Sequence, residues 1–534
     1  MTAAATAIGA AYLLDRVGLA IHPTASLALA LVAGSAWLWR RPGDPGNPLA
    51  FVAVTIGVFV SLLAVQWPAL MPPGGGSDLT HHLQLIGFID GQWRLPHDPA
   101  AAVIVGGMIN YTPGSHLLAA LAGAWFNTDG LHALYPVLAA SVAVKAGLLF
   151  LIARRMLADD PARVPMAIAA VALPALAFDS SLGSFFRWSF VAQVVAETFA
   201  VAMWWALVVW DQQRTVTAAW LFGIAGAATF LCWPVSVGPP QLALALVVLI
   251  RSEAGVRSRV ASLAAAVAPV AIAGVVHASG RVATVSILQT GGASFDWAAA
   301  RFGWFLLIAS AAGLLMSIRR REARATTLVL GATLAQAAVL FVVARESGAD
   351  SPYMARKMAH FAVLPMAALA ALPVAALHRG LARAAQGLTR SNTPSVRMTA
   401  WIGAMLLIAV VARSLSMVPR SLPVITDELA RAGAWARTHV PPACIDYLVR
   451  SDDTSYWLHH AALGNPVRPR PGDPEPQFFY RDVVARWING GGLPYAIADL
   501  AIVPREVRDD LEPLARYGSI VIGRRRVGGR CRSE

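Results

Sequence analysis

Residues 71–97, "MPPGGGSDLTHHLQLIGFIDGQWRLPH", place an aspartate and two adjacent histidines directly after an apolar run. Asp78 follows three glycines, at the point where the chain would leave the hydrocarbon of a membrane. A carboxylate at such a boundary is partly shielded from solvent, which suits a general base that activates a hydroxyl. Asp78 is therefore a candidate catalytic residue. A helix cap or a solvated loop position is the structural alternative.

The two histidines after Asp78 are candidate substrate-binding residues. His81 and His82 cannot face the same way on a helix, so one is expected to pack or hydrogen-bond while the other faces the loop interior. Asp78 and His81 stand three residues apart, a spacing that suits two metal ligands on one helix face. Pairs of this kind also arise by chance, so a divalent metal is an alternative to a site without any cofactor.

The composition of the chain defines the setting of these residues. Of 534 residues, 57% are hydrophobic and only 14% are charged, and the mean hydropathy is +0.57. In soluble proteins about a quarter of the residues are usually charged, so the chain is predicted to be a polytopic membrane protein. In a membrane protein, the basic residues behind the net charge of +13 more often set the orientation of the chain in the membrane than bind nucleic acid. Nucleic-acid binding is excluded, since no basic stripe is interleaved with aromatic residues.

Apolar runs of about 17–25 residues predict about thirteen membrane-spanning helices. The predicted spans are 4–20, 24–39, 48–67, 132–153, 163–178, 190–210, 216–234, 239–251, 258–277, 303–318, 325–343, 358–377 and 399–418. Arginines concentrate in alternate loops, which the positive-inside rule makes cytoplasmic. We therefore expect a multi-pass protein of the bacterial inner (plasma) membrane with a cytoplasmic N-terminus, and a transmembrane domain over residues 1–420.

The first external loop is predicted over residues 68–131, and it contains two helical patterns. Leu83, Ile86 and Ile89 in "HHLQLIGFIDGQW" follow helical spacing, which predicts a short helix on the membrane surface. In "NYTPGSHLLAALAGAWF", Pro113 and Gly114 open a second apolar helix that is too short to span comfortably.

These loop motifs resemble those of the polytopic GT-C glycosyltransferases, in particular uncharacterised bacterial members. The resemblance rests on Asp78 at the end of a span, on "IGFIDGQWRLP" and on "NYTPGSHLLAALAGAW", and it covers about residues 48–155. It implies a GT-C-like, mainly α-helical fold and an inverting sugar transfer from a polyprenyl-phosphate-linked donor on the outer face. The acceptor would be an envelope glycan, a lipid or a protein.

The resemblance also implies roles for individual residues. Asp78 would deprotonate the acceptor hydroxyl, and the substrate-binding residues of the loop would be His81, His82, Tyr111 and His116. Many family members carry a second acidic residue in this loop, but here the next two residues are Leu79 and Thr80. The further acidic candidates are Asp90 and Asp98. The family includes metal-dependent and metal-independent enzymes, so the resemblance leaves metal dependence open.

A donor whose leaving group is a lipid phosphate needs positive charge at the outer leaflet. Residues 346–365, "ESGADSPYMARKMAHFAVLP", supply Tyr353, Arg356, Lys357 and His360 where the twelfth predicted span begins. The resemblance implies that such a late external loop contacts the carrier phosphate. The alternative is that the two cations reach the headgroups of surrounding lipids.

Residues 181–199, "SLGSFFRWSFVAQVVAETF", bring further polar groups toward the outer half of the sixth predicted span. Arg187 and Glu197 are candidate substrate-binding residues, because ionisable groups inside spans usually face a cavity. Glu197 either lines the site or pairs with Lys145 of the fourth span. The aromatic residues Phe185, Phe186 and Trp188 suit an interfacial belt better than a sugar platform.

The composition changes after residue 420, and alternating strand and helix patterns predict a small extracytoplasmic α/β domain over residues 421–534. "TDELARAGAWARTHVPPACIDYLV" predicts a capped helix and a strand, and "YAIADLAIVPREVRDDLEPLARYGSIVIGRRR" predicts strand, helix and strand. Cys444 and Cys531 flank this domain and are predicted to form a disulfide. An acceptor-binding or scaffolding role fits the domain.

Other functional classes find less support. The sequence contains no nucleotide-binding loop, no GxSxG motif and no internal repeat. A transporter or flippase would place paired charges in broken helices at mid-membrane, whereas the polar groups of this chain gather in loops. A polymerase or ligase of lipid-linked glycans would differ only in substrate and stays an alternative.

Overall fold

The computed structural model describes most of the chain, with gaps. The described residues are 1–39, 48–68, 70–72, 77–98, 101, 105–158, 160–177, 182–186, 190–250, 255–279, 303–349, 351–388, 396–416, 423, 425–441, 444–450, 454–455, 457–459, 479–526 and 528–531. The chain forms two compact units. The first comprises residues 1–65, 112–118 and 136–420, and the second comprises residues 66–111, 119–135 and 421–534.

The first unit is helical throughout its described residues. Its helices are α1 Thr2–Arg16, α2 Pro23–Trp39, α3 Pro48–Gln66, α7 Arg163–Ala172, α8 Gly183–Phe186, α9 Val191–Gln213, α10 Val216–Cys232, α11 Gly238–Ile250, α12 Val256–Ala278, α13 Trp304–Ser317, α14 Arg324–Glu346, α15 Tyr353–Leu388 and α16 Val396–Ser416. The helix α4, Ser77–Gln92, belongs to the second unit, and α5, Gly114–Trp125, and α6, Gly130–Met156, contribute residues to both.

Each predicted span coincides with one of these helices, which confirms a polytopic, mainly α-helical membrane protein. Within the described residues, six segments are long and apolar enough to cross a membrane. They are Pro48–Gln66, Gly130–Met156, Val191–Gln213, Arg259–Ala278, Arg321–Glu346 and Tyr353–Leu381. The total number of spans stays a prediction, because several further apolar helices, such as Trp304–Ser317, are shorter.

Helix α9 lies at the centre of the first unit. Its apolar window is 94% buried, whereas that of α3 is only 6% buried. Helix α9 packs against α10, α11 and α14, and a helix that is apolar all round is expected to be surrounded by protein in this way. Helix α3 instead presents its apolar side chains outward, as a lipid-facing helix does.

Small residues allow the close helix crossings of this unit. A side chain at Gly223 of α10 would collide with the backbone oxygen of Ala265 on α12. A side chain at Gly313 of α13 would collide with the backbone of Leu369 on α15. Apolar side chains gain little from leaving lipid for a helix interface, so membrane helices associate through close backbone approach at small residues.

Two buried acidic groups near helix ends are paired with arginines. Asp211, near the end of α9, accepts two hydrogen bonds from Arg324 at the start of α14, at 2.6 and 3.2 Å. Asp160, in the connection between α6 and α7, pairs with Arg379 of α15. Both carboxylates are 2% exposed, and the pairing compensates part of their desolvation.

The second unit contains the predicted α/β domain. Helix α17, Asp427–His439, is capped by Thr426, whose side chain accepts a hydrogen bond from the N–H of Leu429. It precedes the strand β1, Ile445–Leu448. The later elements are α18 Tyr480–Ile488, β2 Tyr495–Asp499, α19 Arg505–Asp510, β3 Leu511–Tyr517 and β4 Ile520–Arg525.

The strands form a mixed sheet in the order β1-β2-β4-β3. Strands β1 and β2 are parallel, with Ile445 opposite Tyr495, and β4 is antiparallel to both β2 and β3. Leu448, Trp487 and Ala496 lie in the core beside the sheet. Cys444 and Cys531 are joined by a disulfide, with their Cα atoms 4.4 Å apart.

The structure contains one strand more than the predicted strand, helix and strand. Leu511–Tyr517, directly after the helix, is an edge strand in a hairpin that turns at Gly518 with φ +60°. Pro513 explains the difference, because proline disrupts a helix interior but is tolerated in an edge strand beside a bulge. The register of β3 shifts between Pro513 and Ala515.

Candidate functional site

Helix α4 carries the first-loop candidates and forms where the sequence predicts it. Leu83, Ile86 and Ile89 are all buried, so the predicted apolar face exists. Asp78 is the second residue of the helix, but its side chain lies outside the described part of the structure. Its backbone position suits both a helix-terminal carboxylate and a base presented at the start of a helix. Its catalytic role stays a prediction.

His81 and His82 lie in different surroundings, as the sequence predicts for neighbours on a helix. His82 is 2% exposed, and its ring meets the ring of Tyr111 edge-on, with the ring centres 5.5 Å apart. His81 is half-buried, with Nδ1 3.3 Å from Oε1 of Gln84 on the same helix. The second unit therefore brings the predicted residues His82 and Tyr111 together.

His116 lies in the first unit, at the start of α5. It is fully buried, and its Nδ1 is 3.4 Å from Oγ of Ser115. The adjoining Thr112 donates a hydrogen bond to the carbonyl of Cys232 at the end of α10. A side chain at Gly114 would collide with the same turn. These contacts fix the start of α5, which gives His116 a defined position in the packed interior.

Asp90 is held at the other end of α4. Its Oδ2 accepts a hydrogen bond from the N–H of Gly130 at 2.7 Å, and a side chain at Gly130 would strike Ile86. Burial raises the pKa of Asp90 to about 6, while the Gly130 hydrogen bond acts in the opposite direction and the charge of Asp129 adds to the rise. Asp90 is thus both a structural link and a carboxylate able to exchange a proton near neutral pH. Asp98, the other acidic candidate, is exposed.

An aspartate–histidine–aspartate cluster in the second unit was missed by the sequence reasoning. His132 Nδ1 lies 2.7 Å from Oδ1 of Asp129, and its Nε2 lies 3.1 Å from Oδ1 of Asp427. Asp427 also pairs with Arg431 at 2.9 Å. Burial acts to raise the pKa of Asp129, but the hydrogen bonds and charge of His132 outweigh this and lower it. The only sequence signal is an acidic residue at the start of each of two helices.

The four candidates at the start of α15 divide into two groups. Tyr353, Lys357 and His360 share one face of the helix, and all three are at most 8% exposed. Arg356 is half-buried and points elsewhere. The sequence predicts all four as one phosphate-contacting group, but consecutive helix residues diverge by about 100°. Arg356 and Lys357 therefore point in different directions, and the phosphate-contacting role of the four residues stays a prediction.

Lys357 lies in a cage of aromatic rings within the first unit. Its Nζ is 3.9 Å from the ring centre of Phe190, 4.4 Å from that of Tyr353 and 5.6 Å from that of Trp233. His360 meets Phe190 edge-on, with the ring centres 5.9 Å apart. Ring faces attract a cation more strongly when it is shielded from water. The cage therefore stabilises the ammonium group in a fixed place.

A polar chain from α6 to α15 lies behind the cage. Lys145 Nζ is 2.7 Å from Oε2 of Glu197, and these side chains are 8% and 1% exposed. Gln193 donates from Nε2 to Oε1 of Glu197 at 2.8 Å and to the carbonyl of Lys357 at 3.2 Å. Of the two alternatives for Glu197, the structure contains the ion pair with Lys145. Through Gln193 the pair also reaches the backbone of Lys357.

Arg356 lines a groove between α14 and α15 with a volume of about 520 Å³. The other residues that line it are Leu334, Ala337, Ala338, Phe341, Pro352 and Ala355. The groove is apolar except at the arginine.

The remaining predicted residues are Arg187, the aromatic residues beside it and the possible metal ligands. Arg187 and Trp188 lie outside the described residues. Phe185 and Phe186 are buried and meet edge-on with ring centres 4.5 Å apart, which is core packing and not the predicted interfacial belt. Within the described residues, no three His, Cys, Asp or Glu side chains converge to hold a metal ion. The side chain of Asp78 lies outside the described part of the structure, so the predicted metal pair of Asp78 and His81 stays a prediction.

The chain resembles known proteins in structure but matches none of them by sequence. No family model matches the chain, and no curated protein matches its sequence. ArnT from Cupriavidus metallidurans, solved with undecaprenyl phosphate bound, aligns with a TM-score of 0.51 at 15% identity, covering 90% of this chain and 98% of that one. The chain therefore has the fold of this ArnT structure. The apo oligosaccharyltransferase from Archaeoglobus fulgidus gives a TM-score of 0.45 at 13% identity, covering 85% and 70%. The ArnT alignment, together with the helices and the small sheet described above, confirms the predicted mainly α-helical fold class.

Proposed function

We propose that this chain is an inverting membrane glycosyltransferase. It takes a sugar from a polyprenyl-phosphate-linked donor and transfers it to an envelope glycan, lipid or protein acceptor. The reaction takes place on the outer face of a bacterial inner membrane, with the N-terminus in the cytoplasm and the residues after 420 outside. The GT-C fold supports an enzyme of this type, and the ArnT structure of that fold carries undecaprenyl phosphate.

The observation that carries the proposal is the caged lysine at the start of α15. A sugar phosphodiester gains negative charge on its phosphate as the bond between the sugar and that phosphate breaks, and a fixed cation stabilises this charge. Lys357, only 7% exposed, is fixed by the rings of Phe190, Tyr353 and Trp233. Aromatic faces attract the ammonium group and help to hold it in one place.

Asp78 is the general base of the proposed reaction. Its carboxylate takes the proton of the acceptor hydroxyl as the oxygen attacks the anomeric carbon, and the carrier phosphate leaves with the electron pair of the broken bond. Attack on the face opposite the leaving phosphate inverts the anomeric centre. A divalent metal held by Asp78 and His81 would supply positive charge that stabilises a developing negative charge.

Replacing Lys357 by methionine tests the phosphate-binding role. Methionine keeps an unbranched apolar side chain among the rings and removes the charge. A charge-assisted contact to phosphate contributes about 1.5–3 kcal/mol, so the apparent affinity for the donor should fall roughly ten- to hundred-fold. The measurement is sugar transfer from a synthetic polyprenyl-phosphate donor by purified protein in lipid nanodiscs.

Arg319→Gln is the matched control, because Arg319 is an exposed basic residue outside the cage. It should leave donor use unchanged. Wild-type donor affinity in Lys357→Met would show that the phosphate binds elsewhere. If the wild-type protein moves the intact donor across the bilayer and transfers no sugar, the chain is a flippase and the proposal is wrong.

A further inference from the structure

We propose that the groove between α14 and α15 is a binding site for one anionic phospholipid, with an acyl chain in the groove and the phosphate at Arg356. This site goes beyond the sugar transfer proposed above. The groove lies on a different face of α15 from the caged Lys357. Arg356 and Lys357 would therefore bind different ligands.

The shape of the groove suits one hydrocarbon chain. Leu334, Ala337, Ala338 and Phe341 follow the spacing i, i+3, i+4 and i+7, so they form one wall along about two turns, or roughly 10 Å, of α14. The volume of about 520 Å³ falls within the range of about 300–1,000 Å³ that ligand pockets occupy. Leu334 and Phe341 are 45% and 44% exposed, so a chain can enter sideways from the bilayer.

Positive charge lies at one end of the groove. Arg356 is in the first turn of α15, and Arg345 is in the last turn of α14. The Arg345 guanidinium carbon lies 5.5 Å from the ring centre of Phe341, a residue of the groove wall. The neighbouring Glu346 is exposed and reduces the local positive charge. An apolar channel with cations at one end matches the distribution of charge in an anionic phospholipid.

The polyprenyl donor fits this groove less well than a phospholipid. In the proposed function the donor phosphate binds at Lys357, whose Nζ faces Phe190 and Tyr353 and not the groove. Lipid chains that occupy such a groove would stabilise the contact between α14 and α15, and α15 carries the cage.

The test measures lipid binding by delipidated protein in neutral detergent, using native mass spectrometry with dioleoyl phosphatidylglycerol and dioleoyl phosphatidylcholine. The wild-type protein should bind the anionic lipid about ten-fold more tightly than the zwitterionic one. Arg356→Gln should remove this preference. Ala338→Trp should fill the groove and weaken the binding of both lipids.

Ala335→Trp is the matched control, since Ala335 is an exposed residue of the same helix outside the groove. Equal melting temperatures of Ala335→Trp and Ala338→Trp without lipid would show that both fold. The inference is overturned if the two variants bind phosphatidylglycerol equally well, or if the wild-type protein does not distinguish the two lipids.

Two further arms separate this site from the donor site. Lys357→Met should lose donor affinity and keep the binding of phosphatidylglycerol, whereas Ala338→Trp should do the reverse. If undecaprenyl phosphate displaces phosphatidylglycerol from the wild-type groove and Ala338→Trp abolishes donor binding, the groove belongs to the donor. That result would overturn the inference and leave the proposed function standing.

Discussion

Replacing Glu197 by glutamine removes one charge from the buried Lys145–Glu197 pair and keeps the shape of the side chain. The amide oxygen can still accept the hydrogen bond of Gln193, but Lys145 then lies among packed helices beside a neutral group. Both side chains are nearly inaccessible, at 8% and 1% exposure, and their charged atoms are 2.7 Å apart. Breaking a buried pair on one side costs about 3–5 kcal/mol, so the variant should unfold at a clearly lower temperature.

The double variant Lys145→Met/Glu197→Gln is the informative companion. It removes both charges, keeps the hydrogen bond from Gln193 and leaves no buried ion without its partner. It should therefore be more stable than either Glu197→Gln or Lys145→Met alone, with a coupling of several kcal/mol between the two positions. The assay is thermal unfolding of the purified protein in detergent, followed by intrinsic tryptophan fluorescence.

The pair also reaches Lys357 through Gln193, and a second measurement tests that link. Gln193→Leu removes the hydrogen bond that holds the backbone of Lys357, so it should weaken donor affinity more than it lowers the maximal rate. Arg505→Met is the control, since it breaks an exposed pair with Asp509 at 89% and 67% exposure, and such pairs contribute little. If the double variant is less stable than both single variants, the two charges act independently and the reasoning fails.

The remaining predictions concern the second unit. Asp78→Asn should lower transfer by about 10²- to 10⁴-fold and leave carrier binding intact, while Asp98→Asn should change little. Wild-type activity in Asp78→Asn would move the base elsewhere, and loss of activity on chelation would indicate a metal at Asp78 and His81. Peptide mapping without reductant should find Cys444 linked to Cys531, and the Cys444→Ser/Cys531→Ser variant should be less stable by about 2–4 kcal/mol; free thiols in protein isolated under oxidising conditions would contradict this. The pKa of Asp90 is raised to about 6 by burial, above that of an unfolded aspartate, so its contribution to stability is full at acidic pH and declines as the pH rises from about 4 to about 6. Asp90→Asn should remove this decline from melting curves recorded between pH 4 and 7, and an unchanged profile would refute the assignment.

The helical part of the fold could be predicted because each element is specified locally. A long apolar run must satisfy its backbone within one helix, so the run at 48–67 predicts the helix Pro48–Gln66. In the first loop, Leu83, Ile86 and Ile89 predict α4 by spacing alone. The strand at Leu511–Tyr517 was missed because the acidic stretch before it favours a helix. Pro513 disfavours a helix and is the local signal against that interpretation.

The site was less predictable, because its contacts join residues far apart in sequence. His132 and Asp427 are 295 residues apart, and the Phe190–Lys357 contact joins two different helices. Nothing in the local pattern indicates such pairs. The separation of Arg356 from Lys357, in contrast, follows from helical geometry alone and could have been predicted.

The described cations of the first unit make two kinds of contact, with carboxylates and with aromatic rings. Arg324 and Lys145 are paired with the carboxylates of Asp211 and Glu197, so much of their charge is already compensated and would attract a phosphate weakly. The cage of Lys357 attracts the ammonium group through the electron density of ring faces. In the proposed function, Lys357 attracts the phosphate of the bound donor. It also stabilises the further negative charge that develops as the sugar leaves. Only the part of this attraction that is stronger in the transition state than in the bound donor accelerates the reaction.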